Sequence, residues 1–259
     1  MERRPIKADL TAFPDAFREL IGSCAVYDSS CSPEAQVWFL DRGEGLYLKS
    51  APKGHLRREA EMTAFFHGKG LAAEMMDYRS LERDWLLTRA VPGEDCTHRR
   101  FLDDPKRLSA ILGEELRLLH EVSTAGCPVT DHTALYMASV AEGQSYRRFD
   151  AGYFHKEGLT EETARELVRE FSPRLHNEVL LHGDYCLPNV MLDDWKFSGF
   201  IDLDHGGIGD RHIDLFWGAW SLGFNLGTDK WRSRFLDAYG RDKIDEELLE
   251  AIGAFEAFG

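Results

Sequence analysis

The sequence predicts an α+β protein of two lobes: a small, mostly antiparallel β lobe with one helix over residues 1–90, then a larger, mainly helical lobe over 91–259. Three observations carry this. Residues 36–91 alternate apolar and polar side chains in short runs around one helical stretch, helical spacing dominates after 104, and the turn-rich "VPGED" at 91–95 offers a hinge between them. At 259 residues and 43% hydrophobic, the chain is large enough for one sizeable core or two smaller ones.

In order, "QVWFLD" at 36–41 and "GLYLKSA" at 45–51 flank the turn "RGE" as a hairpin. "HLRREAEMTAFFHG" at 55–68 has helical spacing with a glycine stop at Gly68, and "MMDYRS" with "DWLLTRAV" forms a second hairpin. In the second lobe, Asp104 caps and Pro105 opens a helix whose apolar face is Leu108, Ile111, Leu112, Leu116 and Leu119, ending before Gly126. Another helix starts at Thr160, with Glu161 and Glu162 where the helix dipole favours anions. "EVLLHGD" is a short strand into a loop, and "NVML", the turn "DDWK" and "FSGFID" form a third hairpin. Helical spacing in "DLFWGAWSL", "KWRSRFLDAY" and "EELLEAIGAF" completes the pattern.

Composition excludes several functions. The net charge of −14, from 31 basic and 45 acidic residues, lacks the basic footprint of a nucleic-acid binder. Residues 1–95 hold 13 basic and 16 acidic groups, and residues 96–259 hold 18 and 29, so the acid excess lies in the second lobe. No apolar run reaches the ~18 residues a membrane helix needs, and "MERRPIKADL" has no apolar stretch of a signal peptide, so a cytoplasmic protein with no membrane partner is expected. Five scattered cysteines without a C-x-x-C pair indicate neither a disulfide framework nor a zinc site. His205 and His212 do not have the spacing of a helical ligand pair.

Chemistry concentrates in "LLHGDYCLPNVMLDDWKFSGFIDLD" at 180–204. His182, Gly183 and Asp184, followed after four intervening residues by Asn189, reproduce the H-x-D-x-x-x-x-N spacing of a kinase catalytic loop, and Asp202 lies thirteen residues beyond. Phosphoryl transfer from a nucleotide needs a carboxylate to orient the attacking hydroxyl, which suits Asp184, and hard oxygens for magnesium, which suits Asn189 and Asp202. His182 reads as structural. In "LYLKS", Tyr47 and Lys49 share one strand face, from which Lys49 can reach phosphates. The following helix offers Glu59 and Glu61 to orient that lysine, and two residues apart on a helix only one can do so.

These residues resemble the aminoglycoside phosphotransferases, most closely the 3'-phosphotransferases. The resemblance runs over nearly the whole chain, through "LYLK", "RREAEM", "LHGDYCLPNVM", "FSGFIDL" and "GDRHIDL" with Asp210 and Asp214. It implies a protein-kinase-like two-lobed fold with a nucleotide-binding first lobe and a catalytic, substrate-binding second lobe. It implies transfer of the gamma-phosphoryl group of ATP or GTP, with Mg2+, to a hydroxyl (the 3'-OH) of a cationic aminoglycoside, conferring antibiotic resistance. By the resemblance Glu59 partners Lys49, Tyr47 sits over the adenine, and the backbone of Ala90 meets its edge. Ser30 and Ser32 stand in the phosphate loop, while Asp150, Glu157 and Glu256 fall in substrate-binding segments whose acids also read simply as surface charge. The sequence departs from the family where Asp204 replaces a glycine and His205 an arginine, and in its extra terminal Gly259. A kinase of another small hydroxyl compound and an inactive nucleotide-binding regulator are the rival readings, the second opposed by intact Lys49, Asp184, Asn189 and Asp202.

Overall fold

The computed structural model describes residues 3–31, 35–146, 148–153 and 158–259. They fall into two compact units, Met1–Asp95 with Met191–Asp204, and Cys96–Val190 with His205–Gly259.

The first unit is built on a six-stranded antiparallel sheet. Across it run Arg4–Ile6, Ala25–Asp28, Gln36–Asp41, Leu46–Pro52, Arg83–Arg89 and Met75–Ser80. Alternation decides the facing of Leu46–Pro52: Leu46 and Leu48 are buried, whereas Tyr47 and Lys49 lie half-buried on the other side. Behind the sheet, Phe13, Phe17 and Ile21 meet Leu40, Leu48, Trp85 and Leu87, with Trp38 stacked on Trp85 at 5.9 Å. The lobe was expected to hold one helix, Arg57–Gly68, and a second one, Asp15–Gly22, supplies Phe17 and Ile21 to this core. It and the strands before and after it are too short for periodicity to show. The hairpin of Val190–Asp193 and Lys196–Phe200 turns on Asp194 and Trp195, both at positive φ (46° and 67°), as a two-residue type I′ turn requires. It joins the first unit by pairing Leu192 with Glu94, and by Phe200, which bridges to Ala72 and meets Phe66 edge-on at 6.2 Å.

The second unit is helical around a buried two-stranded pair, Val179–Leu181 with Gly207–Gly209. Asp104 accepts from the Arg107 amide (3.1 Å) and opens Pro105–His120, which buries Leu108, Leu112, Leu116 and Leu119. This helix packs on Arg232–Tyr239 at Gly113, where a Cβ would stand 2.3 Å from the Phe235 carbonyl oxygen, so only glycine permits the approach. Thr160 caps Glu161–Phe171. The helix His132–Ser145 escapes sequence reading because its apolar residues do not gather on one face; it buries only His132, Val140 and Gly143. Arg211–Leu226 and Glu246–Glu256 start from the capping carboxylates of Asp210 and Asp245. Among the described residues no helix is long and apolar enough to cross a membrane, and the five cysteines are free thiols.

Candidate active site

In the first unit the chemistry gathers on Lys49. Its ammonium donates to Glu59 (2.8 Å) and to Asp202 Oδ1 (3.0 Å), while Glu61 turns to Arg57 instead (3.0 Å). Of the two acids on that helix, Glu59 is the one the lysine meets. Burial works against the charge on Lys49, but the two carboxylates outweigh it and raise its pKa above the ordinary lysine value. Burial lifts the Glu59 carboxyl to about 7 against the pull of Lys49. Asp202 has left-handed backbone (φ 55°), a conformation costing about 1–3 kcal/mol in a non-glycine residue and kept where surroundings enforce it. Its side chain stays half exposed, with one oxygen on Lys49.

The other nucleotide-side residues are placed as follows. Tyr47 lies on the Lys49 face of the strand, its ring 5.2 Å from Phe39 and its hydroxyl accepting from Arg3 (2.9 Å). The Ala90 amide donates to Gly45 O (2.9 Å). Ser30 is engaged locally: its hydroxyl accepts from the Val37 amide (3.0 Å) and its own amide donates to Asp28. Ser32 lies outside the described residues, as does Glu157.

In the second unit the strand Val179–Leu181 runs into the loop that carries Asp184. Gly183 has φ +83°, and a Cβ there would come within 1.9 Å of the His205 carbonyl oxygen, which makes glycine obligatory between His182 and Asp184. Asp214, fully buried, holds the loop from beneath. Its two oxygens accept from the amides of His182 and Gly183 (2.8 Å each) and from His120 Nε2 (3.2 Å), while His120 Nδ1 meets the Tyr239 hydroxyl at 2.8 Å. Burial lowers the His120 pKa, so the ring is neutral and bridges as a hydrogen-bonded spacer. Above this floor Asn189 Nδ2 donates to the Asp184 carbonyl (2.9 Å) and to Asp184 Oδ2 (2.8 Å). Burial, with Asp184 adding, raises the Cys186 thiol well above its usual range, leaving it no nucleophilic part.

Asp150 and Glu256 come together in this unit. Asp150 is exposed and its amide donates to the Ala257 carbonyl (2.8 Å), next to Glu256. Glu256 is buried, accepts from the Tyr136 hydroxyl at 2.7 Å, and has its carboxyl pushed up to about 7 by burial with the Asp184 charge adding. Sequence reasoning quoted Asp210 and Asp214 without assigning them a role and did not single out His120. An aspartate before an apolar helix marks Asp210 as a cap, but nothing local distinguishes a carboxylate that grips a distant loop.

Both Asn189 side-chain N–H bonds end on Asp184, which fixes the amide, and in the first unit Asp202 presents a half-exposed carboxylate; each carries the hard oxygen that magnesium takes. Among the described residues no group of three or more His, Cys, Asp or Glu is placed to hold a metal ion.

Comparison with known proteins follows the same lines. The profile of the phosphotransferase enzyme family matches residues 32–252. The chain is 46% identical to a probable aminoglycoside 3'-phosphotransferase of Lactococcus lactis, over 99% of this chain and 98% of that protein. It is 32% identical to an aminoglycoside 3'-phosphotransferase of Niallia circulans, over 80% and 81%. A crystal structure of an aminoglycoside 3'-phosphotransferase of type VIII superposes with a TM-score of 0.71 at 26% identity, covering 95% of this chain and 98% of that one. The chain therefore belongs to the phosphotransferase enzyme family and, within it, to the aminoglycoside phosphotransferases, whose kinase-like fold it shares.

Proposed function

We propose that this protein transfers the gamma-phosphoryl group of ATP or GTP to a hydroxyl of an aminoglycoside, the 3'-OH in the first instance, and so gives cytoplasmic resistance to the antibiotic. The observation that carries the reading is the fixed carboxylate of Asp184. One oxygen is tied to Asn189 (2.8 Å), and the loop beneath hangs from Asp214 by two amide bonds, so the carboxylate is oriented before substrate arrives. Asp184 directs the acceptor hydroxyl and takes its proton as the oxygen attacks phosphorus.

Residues 1–90 serve as the nucleotide lobe and 91–259 as the catalytic and acceptor lobe. Lys49, kept charged and aimed by Glu59, holds phosphate oxygens; Tyr47 stacks on the base, the Ala90 carbonyl accepts from its edge, and Ser30 and Ser32 belong to the phosphate loop. Asp202 and Asn189 are the residues that would hold magnesium, which would supply positive charge against the phosphates. Asp150, Glu157 and Glu256 meet acceptor ammonium groups, in keeping with the acid excess of the second lobe. Steady-state phosphorylation across an aminoglycoside panel, with choline and a macrolide as controls, tests the proposal. Transfer to a macrolide or choline in preference to every aminoglycoside overturns it.

A further inference from the structure

On the face of the first sheet that carries Lys49, the strand register sets Tyr27, Phe39 and Tyr47 opposite one another in a row across three strands. Directly opposite residues share a face, and so do residues two apart on one strand, which places Tyr47 and Lys49 on a common surface. The rings touch along the row, Tyr27 and Phe39 at 6.0 Å, Phe39 and Tyr47 at 5.2 Å. Phe39 is buried and lies against Gly45, where a Cβ would stand 2.6 Å from the ring; the Gly45 carbonyl in turn takes the Ala90 amide. Tyr47 stays half-buried.

A side chain from the edge of the sheet reaches onto this row. Arg3, just ahead of the strand Arg4–Ile6, carries its guanidinium over the Phe39 ring, 3.5 Å from the centroid, and donates from Nη2 to the Tyr47 hydroxyl at 2.9 Å. The same guanidinium lies 5.7 Å from the Tyr47 centroid. A cation held over one ring and bonded to the hydroxyl of the next gains both a cation–π contact and a charge-assisted hydrogen bond. The consequence falls on Tyr47. A half-buried aromatic side chain on a strand has more than one staggered setting at χ1, and a hydroxyl anchored to a planar group that rests on a buried ring selects among them. A ring set before its ligand arrives loses less freedom when the ligand binds.

We infer that Arg3 is a positioning residue of the nucleotide site, setting the Tyr47 ring for the base to stack on. The inference rests on the reading of Tyr47 as the stacking partner of the base and adds the residue that holds it. The effect of Arg3 is therefore confined to the affinity contributed by the base. Phosphates held from Lys49 do not feel its loss.

The test is calorimetric titration, in magnesium, with β,γ-imido-ATP and with inorganic tripolyphosphate, which has no base. It compares the native protein, Arg3→Ala, Tyr47→Phe, the double variant and Tyr47→Ala. Arg3 is exposed, so its truncation leaves the core intact. Loss of one exposed cation–π contact and its hydrogen bond is worth about a 2- to 5-fold rise in Kd. That rise is expected for the nucleotide analogue in Arg3→Ala, with the tripolyphosphate Kd unchanged. Tyr47→Phe keeps the ring and loses only the hydroxyl, so it should show the same rise, and the double variant no more than either single one. If the native protein does not bind the analogue, or Tyr47→Ala binds it as tightly as the native protein, the base-stacking reading fails and the inference with it. If Tyr47→Ala weakens binding and Arg3→Ala keeps the native Kd, the inference alone is refuted. Equal weakening of both ligands in Arg3→Ala would make Arg3 a phosphate contact, and additive losses in the double variant would detach it from the Tyr47 hydroxyl; either result counts against the inference.

Discussion

Asp214→Asn separates a residue that positions the catalytic loop from one that merely fills space. In the native protein one oxygen serves Gly183 and the other serves both His182 and His120. An asparagine keeps its oxygen on the Gly183 amide, and its NH2 can donate to His120 Nε2 after a tautomer change that Tyr239 accommodates by accepting from Nδ1–H. The His182 amide, in contrast, then faces a donor and is left buried without an acceptor. An unsatisfied buried amide costs about 1–3 kcal/mol. At this chain length about 2 kcal/mol lowers Tm by about 4 to 8 °C. Because the amide lies two residues before Asp184, the loop relaxes, and displacements near 1 Å can cost on the order of 100-fold in rate. Thermal unfolding should show the fall in Tm, and kinetics should show kcat reduced by about 10- to 100-fold with the nucleotide KM unaltered, the signature of an interaction realised in the transition state. A variant with native Tm and native kcat would refute the reasoning, and one with lowered Tm but native kcat would reduce Asp214 to a stabilising role.

Asp184→Asn should leave nucleotide affinity near native while lowering turnover by about 100- to 10,000-fold, since shape is kept and proton acceptance is lost; rapid-quench and equilibrium titration measure the two separately. Asp202→Ala removes the hard oxygen proposed for magnesium and one of the two partners of Lys49, so calorimetric titration should lose the magnesium-dependent part of nucleotide affinity; unchanged binding with and without magnesium would place the ion elsewhere. For Glu256 the sign is set by a folded pKa of about 7 against an ordinary value of 4.5. Its proton is held more tightly in the folded state, so its contribution to stability is full below pH 4.5 and lost as pH rises through about 7, while the carboxylate that attracts ammonium forms over the same rise. The acceptor KM should therefore fall from pH 6 to pH 8, and in Glu256→Gln that pH-linked improvement should vanish, with a higher KM at pH 8 and a smaller loss of Tm on raising the pH.

Asp184, Asn189 and Asp202 stood out in the sequence because their spacing is that of a kinase catalytic loop, and the structure adds the bond from Asn189 to Asp184 and that from Lys49 to Asp202. The Lys49 face followed from alternation along one strand. The residues alone left Glu59 and Glu61 open and the family resemblance chose Glu59, in agreement with the structure, where Lys49 meets Glu59 and Glu61 turns to Arg57. The short helix Asp15–Gly22 and the helix His132–Ser145 were not legible, one because eight residues hold only two turns and the other because it is nearly without an apolar stripe. The grip of Asp214 on amides more than thirty residues earlier in the chain is a tertiary fact.

The first unit is discontinuous, and this has a consequence for how the chain must be made. During vectorial synthesis residues 1–95 leave the ribosome long before the hairpin 191–204, yet that hairpin supplies the Leu192 partner of Glu94, the Phe200 ring against Phe66, and the second carboxylate on Lys49. Until it arrives the nascent lobe has an uncovered apolar spot at Phe66 and an incomplete charge cluster. Closing a loop of this size carries an entropic cost that grows only logarithmically with length, so the delay is a matter of synthesis time more than of free energy. A gene fragment ending at residue 95 would consequently yield a chaperone client rather than an autonomous nucleotide-binding module.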